Sequence, residues 1–300
     1  MNMIKLTIIM LTVSLSCVAA ADDSAGTVGG ASDAPTGEPA TQPTAEPDTR
    51  PATQPATQPT TAEATDVEPD AMEILLNLEA AGKEHEAIRA DITYKVVDRL
   101  TGDSELREGE VFFLARTEDK GEKFRISFRT LQQAGGPRIA ERVDYAFGGH
   151  WLTVARHRTK QMTRYQVVGE GEKAQPLKLG KGPFPVPFGQ RAEDVVEHFR
   201  VSTRELREDE PEDTDYVELL TREKYAEQIA FEWLRMWVSR DTHLPVKLVS
   251  RDKSDRQVTV TFEDIRTEVE LDDDTFRLPR PLGWQFRVER LEDSQGPQVP

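Results

Sequence analysis

The stretch EKFRISFR, residues 122 to 129, alternates without a slip: Phe124, Ile126 and Phe128 fall on one side, Arg125, Ser127 and Arg129 on the other. A period of two suits an extended strand with one buried and one wetted face, whereas a helix of 3.6 residues per turn would scatter those rings around its surface. The same alternation returns with Ile92, Tyr94 and Val96, with Val143, Tyr145 and Phe147, and with Val258, Val260 and Phe262. Turn residues punctuate the runs: Thr101-Gly102-Asp103, Gly135-Gly136-Pro137, Gly148-Gly149, Gly169-Glu170-Gly171 and Asp252 to Asp255. Strands recurring every 10 to 15 residues or so fit a meandering sheet or open barrel.

Two segments are apolar on both faces, VFFLA (111 to 115) and AFEWLRMWV (230 to 238). Alternation places Phe231, Trp233 and Trp237 on one side of the second, and Leu234, Met236 and Val238 on the other. Such a strand needs cover on both sides. Helical spacing is confined to three places. Residues 71 to 82 carry Met72, Leu75 and Leu78 on one stripe, with Asp70 as expected N-cap and Gly82 as expected stop. Residues 190 to 199 carry Ala192, Val195, Val196 and Phe199 at i, i+3, i+4, i+7. A third short helix is expected near 222 to 228. The fold class expected is α+β but β-dominant, a large antiparallel sheet with a few helices.

The N-terminal part reads differently. Lys5, an apolar run from Leu6 to Ser16 and small residues up to Ala21 have the form of a secretory signal, too short for a membrane span. Cys17, the chain's only cysteine, lies inside it. It is either discarded with the leader or, after Leu15-Ser16, a lipidation site; neither reading leaves a disulfide framework or thiol catalysis. Residues 22 to 70 repeat Thr-Gln-Pro at 41, 53 and 57 and hold almost no large apolar residue, so burial cannot offset the entropy of ordering them. A proline-rich, extended linker is expected there.

That tract sets ten acidic residues against Arg50 alone, a charge of −9 within a whole-chain charge of −16, and Lys5 contributes +1, which leaves −8 for residues 71 to 300. An acidic domain on an acidic tether argues against nucleic acid and against electrostatic attachment to anionic lipid. The domain organisation expected is a signal at 1–21, a disordered linker at 22–70, one folded domain at 71–290 and a flexible tail at 291–300.

Catalytic signatures are sparse. The histidines at 85, 150, 157, 198 and 243 include no i, i+4 helical pair, and no cysteine or carboxylate accompanies them at metal-ligand spacing. No Gly-x-Ser-x-Gly elbow, phosphate loop or dinucleotide fingerprint occurs. The expectation is a protein without enzymatic activity, metal or cofactor. Trp151, Trp233, Trp237 and Trp284, with 12 phenylalanines, are a large aromatic content for so acidic a chain. They form either a packed core or, in part, the wall of an apolar cavity.

Residues 237 to 281 bring a resemblance. Asp241-Thr242-His243-Leu244-Pro245, then Phe262-Glu263-Asp264-Ile265, an acidic turn, and Phe276-Arg277-Leu278-Pro279-Arg280-Pro281 are similar to the closing segments of the outer-membrane lipoprotein carrier family, LolA/LolB-like. The resemblance spans roughly 70 to 290, its sharp motifs lying in the last fifty residues. It implies a strongly curved antiparallel sheet, an incomplete β-barrel, with helices plugging its open side over an apolar cavity. It also implies a periplasmic or exported monomer, membrane-tethered if Cys17 is lipidated, that binds a lipid acyl chain or lipoprotein. The long linker departs from the soluble carriers, and the alternative is an envelope sensor that binds a protein partner with the same fold.

Strand alternation then names the expected cavity lining: Phe124, Ile126, Phe128, Val143, Tyr145, Phe147, Trp233, Trp237, Val258, Val260 and Phe262. The segment GKGPFPVPFGQRAEDVVEHF, residues 180 to 199, is expected to cover it. Its prolines remove amide donors and stiffen the chain, putting Phe184, Val186 and Phe188 on one side ahead of Val195 and Phe199. This segment is either a lid or a permanent anchor in the core.

Overall fold

The computed structural model describes residues 68–115, 121–167 and 190–290. Helix α1 (Pro69–Glu84) opens this part of the chain. Pro69 sits in its first turn, where a missing N–H costs nothing and a fixed φ helps. The N-cap is therefore Glu68 rather than Asp70, which lies inside the first turn. The helix also runs past Gly82. That glycine is buried on the same stripe as Ala71, Leu75, Leu78 and Ala81, serving close packing instead of a stop.

Two meanders follow. The first comprises β1 (Ala87–Asp98), β2 (Ser104–Leu114), β3 (Lys123–Gln133), β4 (Arg138–Gly148), β5 (Trp151–Arg156) and β6 (Gln161–Gln166). Helix α2 (Ala192–His198) leads into the second: β7 (Phe199–Arg204), β8 (Thr214–Thr221), β9 (Phe231–Ser239), β10 (Pro245–Asp252) and β11 (Arg256–Arg266). The third expected helix is reduced to one 3-10 turn, Glu223–Tyr225, and the 190–199 helix stops at His198, so Phe199 begins a strand.

Strand β11 returns to pair with β1, which fuses the meanders, together with a last strand β12 (Gln285–Glu289), into one 12-stranded sheet in the order β12-β6-β5-β4-β3-β2-β1-β11-β10-β9-β8-β7. The sheet is open, ending on β12 and β7. A twisted sheet of more than about ten strands curls instead of staying flat, and register slips between Glu108/Gly109, Phe128/Thr130 and Arg251/Asp252 add local bends. Every pair is antiparallel except one: β12 lies parallel to β6. The long connection from β11 at the sheet centre to β12 at its edge allows that orientation, which a tight hairpin forbids.

The turns follow from sequence. Gly102, Gly135 and Gly149 take positive φ in the β1–β2, β3–β4 and β4–β5 connections. The Asp241–Pro245 motif is the β9–β10 connection: the Ser239 N–H donates to the Leu244 carbonyl at 2.9 Å, His243 takes a φ of 52°, and Leu244 is fully buried. The acidic turn before Phe276 is a 3-10 turn, Asp273–Phe276, capped by the Asp272 carboxylate, which accepts from the Thr275 N–H at 2.8 Å. It seats Phe276 in the core.

Candidate functional site

Strand register separates the sheet into an apolar and a polar face. On the apolar face, Phe147, Phe124, Phe113 and Ile88 stand opposite one another across β4, β3, β2 and β1. One row further, Tyr145, Ile126, Val111 and Ala90 do the same. Val143, Phe128, Gly109, Ile92 and Phe262 continue it onto β11. Apart from Gly109, which has no side chain, all of these residues are buried. The Phe124 and Phe147 rings stack at 5.6 Å, and Phe128 meets Tyr145 edge-on at 6.1 Å and Tyr94 at 5.8 Å.

The next row carries a charge. Thr203, Val217, Met236, Leu248, Val260, Tyr94, Arg107, Leu131 and Ile139 stand opposite one another from β7 to β4. Arg107 is only 6% exposed. Its Nε donates to Glu105 at 2.5 Å, while its Nη1 is buried without a hydrogen-bond partner. Burial pushes the Tyr94 and Tyr145 hydroxyls beside it up to about 12, so both stay protonated at neutral pH. Sequence pattern did not single out Arg107, since SELREGEV reads as a mostly polar run; only the register opposite Tyr94 reveals it.

Nine of the expected lining residues share this face: Phe124, Ile126, Phe128, Val143, Tyr145, Phe147, Val258, Val260 and Phe262. Trp233 and Trp237 do not. They pair with Arg251 and Lys247 on β10 and with Leu220 and Tyr216 on β8, on the other side of the sheet from Leu234 and Met236. There they carry cations: the Arg235 guanidinium lies 4.2 Å from the Trp233 ring centroid and the Lys247 ammonium 4.8 Å from that of Trp237. Phe231, expected beside them, stacks on Phe199 at 5.5 Å, next to the register slip at Arg251/Asp252.

Helices α1 and α2 pack against each other and against the β7–β8 end of the sheet. The Glu79 carboxylate on α1 accepts from the Ala192 N–H at 2.8 Å and so caps α2. Val195 and Phe199 are buried. The far end of α2 is pinned as well: the Arg222 Nε donates to the Val196 and Phe199 carbonyls, and the Tyr225 ring stacks on His198 at 4.3 Å. These contacts hold α2 to the segment between β8 and β9. Phe184, Val186 and Phe188 lie outside the described residues, as do Cys17 and the Gly169–Gly171 turn.

The polar face holds the Asp144 carboxylate, 1% exposed, in a cluster. Ser127 Oγ donates to it at 2.6 Å, Arg142 Nε at 2.9 Å and Arg125 Nη2 at 3.2 Å, and His157 Nε2 lies at 2.7 Å. Burial works to raise this carboxyl, but the bonds from Ser127, His157 and Arg142 outweigh it and hold it below the usual range. Serine, histidine and aspartate thus meet, but in the wrong order for nucleophilic catalysis: Ser127 donates to the acid, not to the imidazole. The cluster fastens the C-terminal segment instead. Arg125 Nη1 donates to the Thr275 carbonyl at 2.9 Å, and His157 meets Trp284 edge-on at 4.9 Å. Among the described residues no group of three or more His, Cys, Asp or Glu side chains is arranged to hold a metal ion, and no helix is long and apolar enough to cross a membrane.

No family model matches the chain, and no curated protein does. Solved structures do. An outer membrane lipoprotein-sorting domain, so described, from Vibrio parahaemolyticus is 13% identical over 69% of this chain and 96% of its own, with a TM-score of 0.37. A LolA superfamily protein from Nitrosomonas europaea is 14% identical over 69% of this chain and 97% of its own, with a TM-score of 0.32. The Pseudomonas aeruginosa MucA/MucB complex contains a chain 14% identical over 70% of this one and 61% of its own, at a TM-score of 0.37. The solved structures to which this β-dominant open sheet is similar thus include proteins of the LolA superfamily.

Proposed function

We propose that this chain is a non-enzymatic binding protein of the cell envelope that holds the acyl chain of a lipid or lipoprotein against the apolar face of its sheet. The observation that carries the reading is the continuous apolar face from β4 to β11, with phenylalanine rings in adjacent rows and, among the described residues, both α-helices at the β7–β8 end. Burial of an acyl chain there contributes about 0.8 kcal/mol per CH₂ and requires no covalent chemistry. With a leader that ends before Cys17, export followed by lipidation of Cys17 would tether the domain through the linker at 22–70. Radiolabelled palmitate fed to cells expressing the full chain incorporates into the wild type and not into Cys17→Ser if that part is right.

The acyl-binding reading is tested by titrating the full chain with a fluorescent fatty-acid probe. Saturable uptake with a blue-shifted emission supports it, and an emission unchanged from that in buffer contradicts it. A protein partner is the second reading. The parallel edge strand β12, with Phe286 and Val288 exposed at 38% and 40%, offers an edge for such a contact.

A further inference from the structure

Arg107 sets the chemistry at one end of the apolar face. A guanidinium carries five donors in a rigid fork, and burying it is costly unless those donors are met. Here Glu105 occupies Nε, from the same strand and the same face, and Nη1 is left without a partner in the interior. The side chains opposite are Tyr94 and Leu131, with Phe128 against Tyr94, and the unsatisfied donor is itself shielded from solvent. Two more arginines share that end: Arg256 acts on Tyr94 and Arg156 on Tyr145, while Glu105 is the carboxylate that faces both tyrosines. The position combines an unspent guanidinium donor, neutral hydroxyls and an adjoining run of rings.

We infer that this end of the face binds a terminal oxyanion, a carboxylate or phosphate, on the ligand whose apolar chain lies along the phenylalanine rows. The inference rests on the acyl-binding reading above and narrows it to anionic amphiphiles. Planar bidentate contact from Arg107 suits either oxyanion. Placing the anion there replaces the missing partner of Nη1, so headgroup and chain contribute separately.

The test compares ligands of one chain length on the full chain by equilibrium dialysis below micellar concentration: oleate, oleyl phosphate and oleyl alcohol, with acetate and inorganic phosphate as chainless anions. The expected result is that oleate and oleyl phosphate bind at least about tenfold more tightly than the alcohol, as a charge-assisted bond predicts. In Arg107→Gln that ratio falls to about threefold or less, and Arg107→Lys, which keeps the charge but not the fork, falls between. Equal affinity of wild-type protein for oleate and oleyl alcohol overturns the headgroup inference and leaves acyl binding standing; this comparison needs no variant to fold. Acetate or phosphate binding as tightly as oleate also overturns it, as an anion site unrelated to lipid. Failure of all three chain-bearing ligands removes the acyl reading and the headgroup with it.

Discussion

Gly109 of β2 and Ser127 of β3 meet backbone to backbone: a Cβ on Gly109 would lie 2.0 Å from the Ser127 carbonyl oxygen. The approach coincides with the register slip at Glu108/Gly109 and the one beside it at Phe128/Thr130, where Arg129 drops out of the pairing. Both bends lie two residues from Arg107, so the glycine shapes the sheet where the charged row begins. Gly109→Ala is expected to destabilise the protein by about 1–3 kcal/mol through forced backbone displacement. Gly148→Ala, where a Cβ meets nothing within 4 Å, is expected to stay within about 0.5 kcal/mol of wild type. Urea unfolding of both variants checks the contrast.

Asp144 offers a pH test. Its carboxyl is held below the ordinary range, so its contribution to stability is present above the unfolded value of about 3.9 and is lost as pH falls through the folded value. Asp144→Asn leaves arginine, serine and imidazole donors poorly met and is expected to cost about 3 kcal/mol or more at pH 7. The deficit relative to wild type narrows at pH 3, below the unfolded value, because the unfolded wild-type carboxyl takes up a proton that the folded one resists. Chemical denaturation at both pH values reads the difference, and a deficit independent of pH speaks against the assignment.

The two faces make opposite predictions for aromatic substitutions. Phe128→Leu, in the buried row beside Tyr94 and Tyr145, weakens fatty-acid probe binding several-fold and lowers stability by about 1 kcal/mol. Trp233→Leu, on the cation-bearing face, leaves probe affinity within about twofold while also lowering stability, through lost contact with Arg235 and Arg251. Equal loss of binding in both variants contradicts the division into faces.

Glu79 supplies from α1 the cap that α2 lacks from its own sequence, since Arg191 makes no side-chain cap bond. Glu79→Ala is expected to cost about 1 kcal/mol, the usual value of a lost N-cap. Faster amide exchange should be confined to the start of α2, while exchange in β7, which Arg222 pins, stays slow. Hydrogen-exchange mass spectrometry resolves the two segments.

The strands were legible because alternation is strong where one face is buried: EKFRISFR became β3 with Phe124, Ile126 and Phe128 together. The acidic turn before Phe276 was expected only from the family resemblance; the Asp272 cap that forms it emerged with the structure. Three features were not legible. The parallel edge strand β12 has every residue at least partly exposed and so carries no burial signal. Trp233 and Trp237 sit on a strand apolar on both sides, where alternation groups residues but does not say which group meets Phe124 across the sheet. Arg107 gained its meaning from pairing with Tyr94, and no local pattern encodes which strands become neighbours.

Native mass spectrometry with solvent extraction, on the full chain purified from a host that exports it, tests the central claim most directly. The account predicts a co-purified species released by organic solvent, with an acyl chain and an anionic headgroup. A clean mass equal to that of the polypeptide alone, in protein that also takes up no fatty-acid probe, would contradict it and identify the apolar face as a packed core.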